Sequence, residues 1–575
     1  MSWEDNYQVW ANKTDLPKNL QTNLEQMAND DAAKEDAFYA PLSFGTAGMR
    51  GLLGAGINRM NIYTVRQATE GLARLIDSLN DESIKARGVA ISYDSRHFSA
   101  EFASEAGRVL GAHGIKAYVF EALRPTPELS FAVRYLHAYA GIMITASHNP
   151  KAYNGYKIYG EDGGQMPPKE SDIITESIRQ ANMFDVPVGE LEQLKSAGLY
   201  QVIGQVVDDA YLAELKTVSV DQKLINTVGK DMKLIYSPLH GTGALIAGQA
   251  LRNAGFENVM MVPEQMAPNG DFPTVELPNP EAPEALAMGI ELAKKEKADV
   301  VIAVDPDADR MGTAVRQPSG DYVLLTGNQI GAVLMHYLLT AKRATGTLPE
   351  NGVLVKSIVS SEFAANIAES FGVETINVLT GFKYIAEQIQ NYEQTAAHTF
   401  LFGFEESYGY LVKPFVRDKD SIQATVLMAE VAAYYKSLGK TVYDGVQELF
   451  QQYGYFVENT KSLTFAGVDG KDKIAALIAK FRAQTPAQFG GIEVVRVEDF
   501  ANATDKDVAT GQVTQITLPK AEVLKYWLSD GSWVAVRPSG TEPKIKFYVG
   551  TKGETEQVAN DKLAAIQATI SEYID

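Results

Sequence analysis

The chain has 575 residues, of which 45% are hydrophobic and 22% are charged. This length exceeds the usual size of one domain several-fold, so about three to five domains are expected. The net charge of −20 disfavours nucleic acids and anionic membranes as partners, because both are negatively charged themselves. A small anionic substrate in a locally basic cleft remains compatible with this charge.

The sequence contains no cysteine, which excludes disulfides, thiolate catalysis and cysteine-bound zinc. Its first residues, MSWEDNYQVW, are acidic and amphipathic and do not resemble a signal peptide. No apolar run approaches the roughly 20 residues of a membrane helix. We therefore expect a cytoplasmic protein without a membrane partner, and both a monomer and a dimer stay open.

Short β-branched runs alternate with longer segments whose apolar residues recur every three to four positions. We predict helices at 64–80 and 282–298, and strands at 88–94, 117–123, 140–147, 232–239, 298–305 and 398–407. This alternation is typical of α/β domains with mainly parallel or mixed sheets. The C-terminal part, with a helical pattern at 465–484 and strand patterns at 523–550, predicts helices on a small antiparallel sheet.

The predicted fold is therefore α/β, with three related α/β domains that contain mixed sheets and a C-terminal α+β domain. We place the domains at residues 1–205, 206–325, 326–455 and 456–575, where turn-rich segments or changes of pattern occur. Polar or glycine-rich clusters follow the predicted strands at 93–96, 145–150, 236–243, 305–310 and 403–407. Because α/β sheets bind ligands at the carboxyl ends of their strands, these clusters are candidate site residues.

The segment DPDADR (305–310) places the carboxylates of Asp305, Asp307 and Asp309 directly after a predicted buried strand. Their mutual repulsion predicts a bound divalent cation. An EF-hand is excluded, because its sixth and twelfth positions would be Arg310 and Arg316 instead of Gly and Glu. An oxygen site with an open position favours Mg²⁺ that shares its coordination with a phosphate. The alternative is an Asp-rich surface turn without a ligand.

The segment RPSGTEPKIKFY (537–548) combines the guanidinium of Arg537 with the hydroxyls of Ser539 and Thr541 and the flexible backbone around Gly540. Such a set of donors suits a phosphate monoester, although an ordinary hairpin turn is the alternative. We exclude two nucleotide-binding motifs. Residues 434–441 lack the first glycine of a Walker motif, and residues 241–248 lack the third glycine of a dinucleotide fingerprint.

The segment TASHNP (145–150) ends a predicted strand at Ser147. A hydrolase elbow, G-x-S-x-G, is absent because Thr145 and Asn149 occupy the flanking positions. His148 is adjacent in sequence, a position from which we do not expect a triad base to serve the hydroxyl. If Ser147 instead carries a phosphoryl group, His148, Lys157 and a metal on the three aspartates would account for the surrounding residue types. The alternative is a turn without chemistry.

The motifs TASHNP, DPDADR, GFEES and RPSGTEPKIKFY, in this order, resemble those of the α-D-phosphohexomutase superfamily. FGTAGMRG (44–51) resembles the N-terminal arginine loop of that superfamily, although Ala47 and Met49 stand where many relatives have serine and leucine. Neither position supplies the arginine, so Arg50 is kept as a candidate. The length, LFGFEESYGYL and FVRDKD (415–420) are most similar to the branch that contains bacterial phosphoglucomutases and phosphopentomutases. The resemblance covers the whole chain and implies four domains around a central cleft.

The resemblance also implies roles for individual residues. Ser147 would carry the phosphoryl group, one of whose oxygens would bind Mg²⁺ together with Asp305, Asp307 and Asp309. The residues around the transferring group would be Arg50, His148, Lys157 and Arg310. Those that bind the sugar would be Glu405, Ser407, Thr380, Gly381 and Lys383, with Glu405 and Ser407 on one face if their segment is extended. Those that hold the non-reacting phosphate would be Arg537, Ser539, Gly540, Thr541 and Lys546, for the last of which a solvated strand lysine is the alternative.

The implied reaction interconverts glucose 1-phosphate and glucose 6-phosphate through a glucose 1,6-bisphosphate intermediate that turns around in the cleft. Mannose and pentose phosphates stay open as substrates, because one hydroxyl is worth only about 1 to 3 kcal/mol of discrimination. The sequence does not decide which residue moves the proton of the substrate hydroxyl. A sugar-phosphate-binding protein without turnover and a Mg²⁺-dependent phosphatase are the alternatives outside the mutase class.

Overall fold

The computed structural model describes residues 2–45, 48–465, 470–538 and 544–574. The chain divides into two compact units, which we describe separately. Unit 1 comprises Met1–Gly327, Ala386–Ala396 and Ser407–Thr441, and unit 2 comprises Asn328–Ile385, Ala397–Glu406 and Val442–Asp575. In the described part of the chain, no helix combines the length and the apolar character that crossing a membrane requires.

Unit 1 begins with three helices and a six-stranded mixed sheet. The helices of this part are α1 (Trp3–Ala11), α2 (Lys18–Met27), α3 (Asp31–Phe38), α4 (Ile62–Ser78), α5 (Glu82–Arg87), α6 (Ser99–Ala112), α7 (Thr126–Tyr135), α8 (Pro168–Gln180) and α9 (Leu191–Ser196). The strands are β1 (Met49–Leu52), β2 (Val89–Tyr93), β3 (Ala117–Phe120), β4 (Ala140–Ile144), β5 (Tyr153–Tyr159) and β6 (Tyr200–Ile203). Their order is β1-β5-β4-β2-β3-β6.

A second mixed sheet of unit 1 has five strands in the order β11-β10-β9-β7-β8. Its elements are α10 (Gln205–Leu215), α11 (Gln222–Val228), β7 (Leu234–Ser237), α12 (Gly243–Ala254), β8 (Val259–Met261), α13 (Pro263–Met266), α14 (Pro283–Glu296), β9 (Val300–Val304), β10 (Met311–Arg316) and β11 (Tyr322–Leu324), with short 3₁₀ helices at Lys216–Val218 and Gly229–Asp231. Strands β4 and β9 are buried along their whole length, which is why their sequences are uniformly apolar.

The two sheets of unit 1 share one design. In each, a buried central strand runs parallel to one neighbour and then, through a short loop, returns as an antiparallel strand on its other side. The loop from β4 to β5 carries TASHNP, and the loop from β9 to β10 carries DPDADR. The repeated arrangement puts both motifs at the carboxyl ends of central strands, as predicted.

The following segment contributes to both units. Its elements are α15 (Gly327–Ala344), β12 (Gly352–Ser357), α16 (Glu362–Ser370), β13 (Glu374–Val378), α17 (Phe382–Thr395), β14 (Thr399–Glu405), β15 (Gly409–Leu411) and α18 (Ser421–Ser437). In unit 2, β12 pairs in parallel with both β13 and β14. In unit 1, α18 is buried over nearly its whole length.

Unit 2 ends in an antiparallel sheet of eight strands flanked by helices. Its elements are α19 (Val442–Tyr453), β16 (Tyr455–Thr464), α20 (Gly470–Ala483), β17 (Gln488–Phe489), β18 (Ile492–Asp499), β19 (Thr504–Asp507), β20 (Val513–Gln515), β21 (Leu524–Leu528), β22 (Trp533–Pro538), β23 (Lys544–Gly553) and α21 (Glu556–Ile574). The α+β character is confirmed, and the sheet is larger than the small one predicted. Every strand and helix predicted from the periodicity is present.

Candidate active site

Ser147 lies in a strained turn directly beyond β4. Its φ angle is +51°, in the left-handed region that residues other than glycine rarely occupy. The Ser147 N–H donates to Thr145 Oγ1 at 2.8 Å, and the residue is only 3% exposed. Backbone strain of this kind is found where a side chain must be held in one direction. The turn directs a single buried hydroxyl away from the end of the strand.

The hydroxyl of Ser147 meets the acidic turn that follows β9. Ser147 Oγ donates to Asp305 Oδ2 at 2.6 Å. Asp305, Asp307 and Asp309 each offer a carboxylate oxygen, and these oxygens lie within 4.8 Å of one another. All three residues are buried, and Ala308 in the turn between them has a φ angle of +54°. The serine and the three carboxylates therefore form one cluster. Ser147 and Asp305 are 158 positions apart in the sequence.

Cations and hydroxyls surround part of the acidic cluster. Lys157 Nζ donates to Asp307 Oδ2 at 3.1 Å, and Thr126 Oγ1 donates to the same oxygen at 2.8 Å. Lys419 Nζ lies 3.1 Å from Asp309 Oδ2. Asp307 Oδ1 and Asp309 Oδ1 are buried and have no hydrogen-bond partner among the described residues. Two unsatisfied carboxylate oxygens in a buried all-oxygen site are the donors that a divalent cation would use.

The pKa values of the cluster are strongly perturbed. Burial and the neighbouring Asp307 and Asp309 raise the pKa of Asp305 well above its ordinary value. Burial would also raise the pKa of Asp307, but the Lys157 ammonium and the hydrogen bonds to its carboxylate hold it well below the ordinary value. Three buried carboxylates at this separation cannot all stay ionised without a compensating positive charge. A divalent cation would supply that charge.

His148 lies against the serine hydroxyl, with Nδ1 at 3.2 Å from Ser147 Oγ. The left-handed turn at Ser147 brings the two neighbouring side chains together. The shorter contact of the hydroxyl is nevertheless the one to Asp305. Burial and the positive charges of Arg310 and Arg50 lower the pKa of His148 well below its ordinary value, so the imidazole is neutral at pH 7.

Two arginines complete the site in unit 1. Arg50 extends from β1, which is antiparallel to β5, and its Nη1 donates to Asn149 Oδ1 at 2.8 Å. Arg310 Nη1 donates to Ser407 O at 2.6 Å and to Glu281 Oε1 at 3.1 Å. The structure thus gathers every predicted residue of the reacting centre: Ser147, His148, Lys157, Arg50, Arg310, Asp305, Asp307 and Asp309.

The predicted sugar-binding residues lie at the end of β14 and the start of α17. In unit 2, the Gly381 N–H donates to Glu405 Oε1 at 2.7 Å, and Lys383 Nζ lies 4.9 Å from the centre of the Tyr384 ring. The chain does not stay extended beyond Glu405: residues 406–408 form a turn, in which Tyr408 has a φ angle of +65°. The condition under which Glu405 and Ser407 would share one face, an extended segment through residue 407, is therefore not met.

The predicted phosphate loop is described only at its edges. Arg537 in β22 is directly opposite Lys546 in β23, in an antiparallel pair. The predicted residues Ser539, Gly540 and Thr541 lie outside the described residues. The two cationic residues that flank the loop, Arg537 and Lys546, therefore lie on neighbouring strands of unit 2.

Some site residues did not emerge from the motifs. Arg96 and Asp94 belong to the polar cluster YDSR, for which the sequence indicates only a position after a strand. In the structure, Arg96 donates to four carbonyls around Ser147. Thr126 and Lys419 bind the aspartates but lie far from them in sequence. FVRDKD is one of the segments that carry the resemblance, and Lys419 lies within it.

Comparison with known proteins gives matches along nearly the whole chain. Family models described as phosphoglucomutase/phosphomannomutase match as alpha/beta/alpha domain I at 41–184, domain II at 209–320, domain III at 326–453 and C-terminal domain at 479–565. These four regions contain the candidate site residues.

Individual relatives agree with the family models. The chain is 40% identical to a phosphoglucomutase of Staphylococcus epidermidis over 547 residues, which are 95% of each protein. It is 38% identical to a phosphoglucomutase of Staphylococcus aureus over 526 residues, or 91% of this chain and 92% of the other. The crystal structure of parafusin, a phosphoglucomutase from Paramecium, in an open form shows the same fold, with a TM-score of 0.66 at 19% identity. The match covers 93% of this chain and 95% of parafusin. The chain therefore belongs to the phosphoglucomutase/phosphomannomutase family.

Proposed function

We propose that the protein interconverts glucose 1-phosphate and glucose 6-phosphate, with Ser147 as the residue that gives and takes the phosphoryl group. The observation that carries this proposal is the contact of 2.6 Å between the buried Ser147 hydroxyl and Asp305, inside a cluster of three carboxylates. A serine held in this way suits phosphoryl chemistry, since a phosphoserine would place its oxygens beside a cation bound to the aspartates. The names of relatives that are 37–40% identical support glucose as the sugar.

Asp305, Asp307 and Asp309 would hold Mg²⁺ together with an oxygen of phosphorylated Ser147. The fit rests on an all-oxygen donor set and on the unsatisfied oxygens of Asp307 and Asp309. When bound, the ion would neutralise charge on the phosphoryl oxygens and on the three carboxylates. The protein's own cations act around it, with Lys157 on Asp307 and Lys419 on Asp309.

In the first half of the reaction, a hydroxyl oxygen of the sugar phosphate attacks the phosphorus of phosphoserine 147. The new O–P bond forms as the bond from Ser147 Oγ to phosphorus breaks, the proton of the sugar hydroxyl passes to a neutral acceptor in the site, and Ser147 Oγ takes up a proton to become a hydroxyl. The neutral imidazole of His148, 3.2 Å from Ser147 Oγ, is available to accept that proton and, once protonated, to pass it to the leaving oxygen. Arg50 and Arg310 would stabilise the charge on the transferring group.

The product of this step is glucose 1,6-bisphosphate, which must present its other phosphate to Ser147 for the second half. We propose that Glu405, Ser407, Lys383, Thr380 and Gly381 bind the sugar and that Arg537, Ser539, Gly540, Thr541 and Lys546 hold the non-reacting phosphate. We also keep the predicted domain boundaries near 205, 325 and 455 as part of this proposal.

The test is turnover of glucose 1-phosphate with Mg²⁺ and a trace of glucose 1,6-bisphosphate, beside parallel runs with mannose 1-phosphate and ribose 1-phosphate. We expect rapid formation of glucose 6-phosphate that EDTA abolishes. Faster turnover of mannose or ribose phosphate would assign a different sugar to the same mechanism. Release of free phosphate without isomerisation would contradict the mutase proposal and favour a phosphatase.

The Ser147→Ala variant should lose turnover while its melting temperature stays close to that of the wild type. A matched control is Ser130→Ala, which removes a buried hydroxyl that donates to Gly163 O outside the acidic cluster. Turnover that survives in the Ser147→Ala variant would overturn the assignment of the phosphoryl carrier.

A further inference from the structure

The turn that carries Ser147 is held by a segment to which the reaction assigns no role. This segment is YDSR (93–96), which follows β2, the strand parallel to β4. Arg96 Nη2 donates to Ser147 O and to Asn149 O, both at 2.5 Å. Arg96 Nη1 donates to Pro150 O at 2.9 Å and to Tyr153 O at 3.1 Å. One guanidinium therefore binds three carbonyls of the loop between β4 and β5 and the carbonyl of Tyr153, the first residue of β5.

The guanidinium is itself fixed on its remaining sides. The side chain of Arg96 is 0% exposed, and its Nε lies 3.2 Å from Asp94 Oδ2. Its guanidinium carbon lies 5.0 Å from the centre of the buried Phe272 ring. A planar group with five donors in fixed directions matches several carbonyls at once, which a lysine ammonium cannot do.

The amide side of Ser147 is fixed by the same segment. Asp94 Oδ2 accepts from Thr145 Oγ1 at 2.7 Å, and Thr145 Oγ1 accepts from the Ser147 N–H at 2.8 Å. Asp94 Oδ1 also accepts from the Arg96 N–H and from Ser99 Oγ. The peptide groups on both sides of Ser147 are thus tied to Asp94 and Arg96, and these are the groups that set its φ angle of +51°.

We propose that Arg96 and Asp94, the latter through Thr145, are positioning residues that hold Ser147 in its left-handed conformation and so direct Oγ to the point of phosphoryl transfer. Neither residue is assigned contact with the substrate. This inference rests on the proposed function for its catalytic consequence. Its structural part, the rigidity of the loop, is independent of that function.

The first test compares Arg96→Lys and Arg96→Ala with the control Arg108→Lys. Arg108 also donates to a backbone carbonyl, that of Gly189, and lies on α6 beside the same sheet. We expect the Arg96 variants to lower kcat about 100-fold, the effect of displacing a reacting group by about 1 Å. KM for glucose 1-phosphate should change less than about threefold, and millimolar guanidinium should partly restore kcat in Arg96→Ala.

The second test is amide hydrogen exchange of the peptide that spans residues 145–153, measured without substrate. Exchange in this peptide should be faster in Arg96→Lys than in wild type and unchanged in Arg108→Lys. If the wild-type protein shows no mutase turnover but exchange rises as expected, the proposed function fails and the positioning role stands. Unchanged exchange together with a kcat within threefold of the Arg108→Lys control would overturn the inference.

If neither Arg96 variant folds, Thr145→Val and Thr145→Ser decide the matter. Valine keeps the shape of threonine but removes the acceptor for the Ser147 N–H, whereas serine keeps it. A large fall of kcat in Thr145→Val that is absent in Thr145→Ser supports the role of this segment. Wild-type kcat in Thr145→Val contradicts it.

Discussion

Lys525 is a fully buried lysine in β21, and its replacement by methionine should change how the stability of unit 2 depends on pH. Burial, with the positive charge of Lys356 as a second cause, lowers the pKa of Lys525 to about 7 from 10.5. Its Nζ donates to Ile358 O at 2.6 Å and lies 4.0 Å from the Trp527 ring and 4.7 Å from the Trp533 ring. The other charged groups that act on it are Glu362, Glu498 and Arg496.

The sign follows from the number of protons bound in each state. Between pH 7 and pH 10.5 the unfolded chain keeps the proton on Lys525 and the folded chain releases it. The unfolded state therefore binds more protons, and the free energy of unfolding rises with pH in this window. Between pH 6 and pH 9.5 the contribution of Lys525 to this rise is about 3 kcal/mol.

The assay is urea unfolding of the full chain at pH 6 and pH 9.5, followed by tryptophan fluorescence. The chain has four tryptophans, so a Trp3→Phe/Trp10→Phe background leaves Trp527 and Trp533, which flank Lys525, as the reporters. The free energy of unfolding of the protein that keeps Lys525, minus that of the Lys525→Met variant, should increase by about 3 kcal/mol from pH 6 to pH 9.5. Lys480→Met, at an exposed lysine, is the control and should show no such growth. Equal differences at the two pH values would refute the reasoning.

Three further predictions concern Glu458, Arg124 and Gly241. Burial raises the pKa of Glu458 to about 7 from 4.5. Between these pH values the folded chain keeps a proton on Glu458 that the unfolded chain releases. The contribution of Glu458 to the free energy of unfolding should therefore fall by about 3 kcal/mol from pH 4.5 to pH 7. Glu458→Gln should remove this dependence in urea unfolding at pH 4.5 and pH 7, and a wild-type dependence in the variant would speak against it. Arg124 forms a bidentate buried pair with Asp208, so Arg124→Met should lower the free energy of unfolding by about 3 to 5 kcal/mol, measured by urea unfolding; a loss below about 1 kcal/mol would disagree. A Cβ at Gly241 would lie 2.3 Å from Pro306 Cα in the acidic turn, whereas one at Gly248 would meet the flexible side-chain ends of Met261, at 2.6 Å, and Arg252, at 3.4 Å. Gly241→Ala should therefore reduce turnover more than about tenfold while Gly248→Ala stays near wild type, and similar rates for both would contradict this view of the turn.

The buried strands and the motifs at their ends were predictable from the sequence, because burial on both faces produces uniformly apolar runs such as β4 and β9. Because β4 and β9 are both central strands of their sheets, Ser147 and the three aspartates each lie beyond the carboxyl end of a central strand. Strands β19 and β20 were not predicted, since the first is wholly polar and the second fully exposed, so neither carries a pattern of burial.

The supporting residues of the site were harder to predict because their roles depend on contacts between distant segments. Thr126 reaches Asp307 across 181 positions, and nothing in its local sequence indicates an acidic partner. The predicted strand at 398–407 is longer than β14, which ends at Glu405, for another reason. The turn at residues 406–408 uses a positive φ angle at Tyr408, a conformation that the residue type does not favour.

The most direct measurement of the central claim is a single turnover of protein phosphorylated at Ser147. The phosphorylated protein is mixed with an equal amount of glucose 1-phosphate in the presence of Mg²⁺ and quenched within milliseconds. Mass spectrometry then follows the peptide that contains Ser147 and the sugar products. With an isotope label on the serine phosphate, we predict that the labelled phosphoryl group leaves the Ser147 peptide as glucose 1,6-bisphosphate appears and ends on glucose 6-phosphate, while the unlabelled phosphate of the substrate returns to Ser147. A Ser147 peptide that keeps its labelled phosphate while unlabelled glucose 6-phosphate forms would contradict the account.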